Sequence, residues 1–82
     1  MHLKVFTSSD INCKVFEKNI QEVVNELHNT ISIEWITDVN NFHLHGIFFT
    51  PTLLIDDQLV SNGKILTKEE IKSHLERFSH VL

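Results

Sequence analysis

Eighty-two residues suit one compact domain and are too few for two, and a chain of this size buries roughly 60–65% of its unfolded surface. Hydrophobic residues at 41% and charged residues at 22% are ordinary globular composition and argue against disorder. Seven basic against eleven acidic residues leave a net charge of −4, the wrong sign for a nucleic-acid binder, which needs a basic face.

The first apolar run, Leu3, Val5 and Phe6, is closed by Thr7-Ser8-Ser9-Asp10. It does not strictly alternate, so residues 3–7 are expected as a central strand, covered on both faces. Ser9 or Asp10 then caps a helix, because their side-chain oxygens accept orphan backbone N–H groups. From there Cys13, Phe16, Ile20, Val23, Val24 and Leu27 recur at three- and four-residue steps. Lys14, Glu17, Lys18, Gln21, Glu22, Asn25 and Glu26 fill the other face, which predicts an amphipathic helix over 11–28. Glu22 and Glu26, four residues apart, repel each other and mark that face as solvated.

Asn29-Thr30 reads as a turn, and Ile31, Ile33 and Trp35 alternate with Ser32 and Glu34 as a strand over 31–37. Trp35 is expected in the core on a sheet face. Thr37 or Asp38 caps a short helix through His45, with Gly46 at its C-terminal stop. Ile47-Phe48-Phe49 leads into Thr50-Pro51, and at least one of the two phenylalanines is expected in the core. Residues 52–55 and 58–61 form an antiparallel hairpin around Asp56-Asp57. Asn62-Gly63 breaks it. Thr67-Lys68-Glu69-Glu70 is a capping box, followed by Ile71, Leu75 and Phe78 on the buried stripe of a last helix to about 80.

Cys13 is the single cysteine, so an internal disulfide is impossible and a structural zinc site has no thiolate set. The most apolar stretch, 47–55, is too short to cross a bilayer. The polar run straight after Phe6 does not fit a signal peptide. These features lead to the expectation of a soluble, cytoplasmic protein with neither a membrane nor a nucleic-acid partner.

The order β-α-β-α-β-β-α, the cap-and-cysteine turn after the first strand and Thr50-Pro51 before the third strand resemble a small thioredoxin-like fold. The similarity is to the glutaredoxin-sized, single-domain thioredoxins, also called redox-active disulfide proteins. It rests on Cys13-Lys14-Val15-Phe16-Glu17-Lys18-Asn19-Ile20, Gly46-Ile47, Thr50-Pro51-Thr52-Leu53-Leu54-Ile55-Asp56, Ser61-Asn62-Gly63-Lys64 and Thr67-Lys68-Glu69-Glu70-Ile71. The resemblance implies one α/β domain over residues 1–82, with a four-stranded mixed sheet and helices on both faces. It also implies that Pro51 is the family's cis-proline; Thr50-Pro51 then reads as a structural kink at a strand start, as a place where the Thr50 backbone meets an extended peptide, a form of strand addition, or as both.

The chain departs from the family pattern at the chemistry. Where the family places C-x-x-C, it has Asp10-Ile11-Asn12-Cys13. The attacking cysteine is replaced by Asp10, and only the resolving position is kept. Dithiol exchange needs an attacking thiolate and a neighbour that releases the mixed disulfide, so thioredoxin-type reductase activity is not expected.

Cys13 itself has two readings. The helix start attracts negative charge onto the sulfur, whereas Asp10 one turn back repels it. On the Phe16/Ile20 stripe it is an inert core thiol; exposed, it would be a slow or regulatory thiol. Asp10 reads most simply as a cap. His43 and His45, two apart on a helix, point to different faces and do not share an ion.

The candidate site is thus Cys13, with Asp10, Ile11, Asn12, Thr50 and Pro51 around it, and no metal or cofactor. Three functions compete. One is a peptide- or protein-binding module with a degenerate disulfide centre. Another is a single-thiol oxidoreductase pairing Cys13 with glutathione or a partner's thiol. The third is a structural or regulatory homodimer rather than a monomer.

Overall fold

The structure, a computed structural model, describes residues 1–27 and 30–79. The expected helix end at 28, the turn residue Asn29 and the end of the last helix at 80 lie outside the described residues. The elements are β1 (His2–Phe6), α1 (Ile11–Glu26), β2 (Ser32–Ile36), a 3-10 helix (Val39–His45), β3 (Thr52–Ile55), β4 (Gln58–Asn62) and α2 (Lys68–Ser79). This is the expected order, with the short helix wound as 3-10 rather than α.

The sheet runs β2-β1-β3-β4. β1 pairs parallel with β2 and antiparallel with β3, and β3 pairs antiparallel with β4. A parallel β1–β2 pair requires a crossover, and α1 provides it. The mixed four-stranded sheet with helices on both faces is a thioredoxin-like fold.

Strand side chains alternate between faces, and β1 divides its residues accordingly. Leu3 and Val5 join Leu53 and Ile55 of β3 under Phe16, Ile20 and Val23 of α1 and Ile71 and Leu75 of α2. Each of these buried side chains contributes about 1.5–3 kcal/mol. Phe6 points the other way, into a smaller cluster with Phe42 and Ile47, flanked by Ile36 and Leu54. Phe6 and Phe42 meet edge to face, with ring centroids 5.5 Å apart. The 3-10 helix that carries Phe42 begins where Asp38 accepts the Asn40 N–H at 3.1 Å. It ends at Gly46, whose φ of +73° is the left-handed geometry that glycine adopts at no steric cost.

Glu22 and Glu26 do not face open solvent alone. They pair with Lys68 at 3.2 Å and Lys72 at 2.7 Å, both on α2. The repulsion anticipated between the two glutamates is thus met by two cations from the neighbouring helix. Asn19 Nδ2–H adds a bond to the Leu66 carbonyl at 3.1 Å, tying α1 to the segment that enters α2.

Two expectations about aromatic residues are corrected. Trp35 shares the α1 face with its register partner Val5 but is exposed, at 38%. β2 is an edge strand, and α1 turns Lys14, Glu17, Lys18 and Gln21 toward it, leaving a shallow open groove with Trp35 on one wall. Phe48 and Phe49 are both exposed, at 75% and 63%. Ile47 fills the available place beside Phe6 and Phe42, so neither phenylalanine enters the core.

Candidate functional site

The site is assembled by strand register. Phe6 of β1 pairs with Thr52 of β3 in an antiparallel ladder, so the chain leaving β1 and the chain entering β3 lie side by side at one end of the sheet. The first is Thr7-Ser8-Ser9-Asp10, which delivers Asp10 and Cys13 to the start of α1. The second is Thr50-Pro51, whose peptide bond is cis. Pro51 is buried and Thr50 half-buried, whereas Asp10, Ile11 and Asn12 are exposed.

Asp10 is the N-cap of α1. Its Oδ1 accepts the Cys13 backbone N–H at 2.9 Å. Its Oδ2 accepts the Ser8 hydroxyl at 2.9 Å. The bond from the Cys13 N–H, followed by that from Ser8, holds the Asp10 carboxyl below its ordinary value. It is therefore an acceptor at neutral pH and not a proton donor.

The Cys13 sulfur is enclosed by the same residues. Its side chain is fully buried. The Ser8 backbone N–H donates to Sγ at 3.4 Å, and the Cys13 S–H donates to Asp10 Oδ2 at 3.8 Å. Ser8 Oγ also lies 3.5 Å from Sγ, but its one proton goes to the shorter Asp10 contact. The thiol therefore has one donor, one acceptor and no exposed surface. Sequence reasoning gave Ser8 only a turn role. Its signal was its place two residues before an aspartate cap, where a hydroxyl can reach the free carboxylate oxygen.

No second sulfur exists for Cys13 to pair with, since it is the sole cysteine of the chain. A carboxylate in the attacking position cannot form a disulfide. The arrangement can enclose the sulfur in hydrogen bonds and cap a helix. Around it stand exposed apolar side chains: Ile11, at 78% exposed, on the turn itself and Phe48-Phe49 just before Thr50. Among the described residues no group of His, Cys, Asp and Glu is placed to hold a metal ion. No helix among them is long and apolar enough to cross a membrane.

Comparison with known proteins agrees with this architecture. A solved structure described as "Structure of a malarial protein" superposes with a TM-score of 0.73 over 93% of each chain, at 8% identity; that likeness is of fold alone. Thioredoxin from Methanothermobacter thermautotrophicus is 32% identical over 75 residues, covering 92% of this chain and 97% of its own length. Thioredoxin from Methanocaldococcus jannaschii is 33% identical over 76 residues, covering 93% and 87%. The thioredoxin domain model matches residues 1–76. With a thioredoxin sheet, a cis Thr50-Pro51 beside the Cys13 turn and full-length similarity to two archaeal thioredoxins, the chain belongs to the thioredoxin family, as a member with one cysteine.

Proposed function

We propose that this protein is a peptide-binding module built on a thioredoxin site whose dithiol chemistry has been lost. The observation that carries the reading is Asp10. It stands where a C-x-x-C pair would have its attacking cysteine, and its carboxylate holds the buried Cys13 thiol in a hydrogen-bonded cap. The scaffold around that position is kept. An extended segment laid across the end of the sheet would meet the backbone of Thr50 and the apolar side chains of Ile11, Phe48 and Phe49. The burial of Cys13 weighs against the single-thiol reading, in which glutathione or a partner's sulfur must reach Sγ.

The test is restoration. The native chain should not catalyse insulin reduction by dithiothreitol, and its Cys13 should titrate slowly with a thiol reagent until unfolded. The D10C variant should gain insulin reduction, because it returns an attacking thiol to an intact groove. Brisk turnover by the native chain ends the reading. A D10C variant that folds and pairs its two cysteines yet reduces no insulin also ends it.

A further inference from the structure

Two contacts reach the 49–51 segment from the end of β4 and the base of β3, and a third joins those two strands behind it. The Gly63 N–H donates to the Pro51 carbonyl at 2.8 Å. Thr52 Oγ1 lies 2.6 Å from the Phe49 carbonyl oxygen. Asn62 Oδ1 lies 2.8 Å from the same hydroxyl. Gly63 has a φ of +79°, and a Cβ placed there would come within 3.3 Å of Phe49 Cβ. A side chain at 63 would be strained by the backbone conformation and would press on Phe49.

The Thr52 hydroxyl carries one proton. A carbonyl only accepts, so that proton belongs to Phe49. With Oδ1 toward the hydroxyl, two acceptors would compete for it. Turning the Asn62 amide end for end, a change that leaves its shape intact, presents Nδ2–H instead and satisfies every group. The chain of bonds then runs from the Asn62 amide to the Thr52 hydroxyl to the Phe49 carbonyl. Thr52 is fully buried, so water cannot readily replace either partner, and the relay has a defined polarity.

We propose that Asn62 is a positioning residue for the 49–51 segment, acting through the Thr52 hydroxyl, and that with Gly63 it sets the direction in which Phe49 and Thr50 are presented. The functional meaning rests on the peptide-binding reading; the brace itself does not. Donor polarity is what separates it from a residue that merely ends a strand. An aspartate at 62 has the same size but only accepts when ionised, so it would compete with Phe49 for the Thr52 proton.

Amide hydrogen exchange followed by NMR tests this. Losing the relay should lower protection of the Gly63 amide by about ten-fold, the equivalent of one net hydrogen bond, in N62D and T52V. T52S keeps a hydroxyl and should match the native chain. Protection of Val5 and Leu53 should not change in any variant. Acidifying N62D until its new carboxyl is protonated restores a donor and should restore Gly63 protection relative to the native chain at that pH. Native protection at Gly63 in N62D overturns the proposal, as does an equal loss across the whole sheet. On the D10C background, adding N62D should raise KM for insulin and leave kcat unchanged. Lost protection at Gly63 together with an inactive D10C variant would leave the brace standing and sink the peptide groove. Unchanged protection with an active D10C variant would do the reverse.

Discussion

Asp10 and Cys13 are joined twice: one carboxylate oxygen takes the Cys13 backbone N–H at 2.9 Å and the other faces its sulfur at 3.8 Å. The residue that begins α1 is therefore also the one that closes over the thiol. Stability and thiol access are coupled through it. The D10A variant should lower the melting temperature by about 4–8 °C, the usual consequence of removing an N-cap in a domain this small. It should also speed alkylation of Cys13. D10N keeps a capping oxygen and should hold the native melting temperature. If Cys13 in D10A reacts no faster than in the native chain, the cap is not what shields the sulfur.

The second helix carries an acid-sensitive lock. Glu70 Oε1 accepts the Thr67 N–H at 3.0 Å, and Thr67 Oγ1 accepts the Glu70 N–H at 3.2 Å, completing the capping box. Lys64 Nζ meets the other Glu70 oxygen at 2.7 Å. The bond from Lys64, then that from Thr67, lowers the Glu70 carboxyl to about 2 from an ordinary 4.5. A lowered carboxyl stabilises the fold above its unfolded value and loses that stability as pH falls through its folded value. The Glu70 contribution should thus be complete above pH 4.5 and decline toward about 2. His74 adds a slope of the same sign at higher pH. Burial, then the nearby Arg77, lowers its value from 6.5, so acid below that point favours the unfolded state. Urea midpoints against pH in E70Q should flatten the lower window, whereas the His74 slope should persist and steepen, because the Glu70 charge opposes the lowering of His74. An unchanged slope below pH 4.5 in that variant would place the acid sensitivity elsewhere.

The hairpin turn offers a gain. Asp56 and Asp57 have φ of +48° and +66°, the two consecutive left-handed residues of a type I′ turn. An aspartate held there costs about 1 kcal/mol relative to glycine. Asp57 recovers part of it through the half-buried Lys4 at 3.3 Å, a pair open to solvent at the aspartate and worth under about 1 kcal/mol. Asp57→Gly should therefore raise stability by about 0.5 kcal/mol, read from the urea midpoint. A loss of stability would mean that the Lys4 pair outweighs the backbone.

Most of this fold could be read from local chemistry. The stripe through Phe16, Ile20 and Val23 gave α1, Thr67 and Glu70 gave the start of α2, and residues 52–55 were bounded by Pro51 on one side and the Asp-Asp turn on the other. What local chemistry does not carry is the lateral order of the strands. Alternation puts Trp35 on the α1 face, but only the order β2-β1-β3-β4 makes that strand an edge and so exposes it. The same limit applies at β4. The register step from Leu54↔Leu59 to Leu53↔Ser61 leaves Val60 as an extra residue, and this bulge depends on pairing rather than on sequence period. At the site, Asp10 as a cap was legible because an aspartate just before an apolar helical stripe accepts orphan backbone N–H groups. The enclosure of Cys13 by Ser8 was not, since it needs the turn's path in space.

Phe42 and Phe48 give the sharpest contrast between a core aromatic and an exposed one. They lie in one connected stretch and have the same side chain. Phe42 is buried against Phe6 and Ile47, and its edge-to-face contact with Phe6 adds to the area it removes from water. Phe48 leaves most of its surface in solvent. Phe42→Ala should cost about 3–5 kcal/mol, the range for emptying an aromatic site in a packed core. Phe48→Ser should stay within about 0.5 kcal/mol of the native chain. It should also lower binding of a hydrophobic dye, because it removes part of the apolar surface beside Thr50. Equilibrium urea unfolding compares the two directly. A large destabilisation by Phe48→Ser would mean that this phenylalanine is held in the fold, and the apolar surface proposed for peptide binding would lose its most exposed aromatic member.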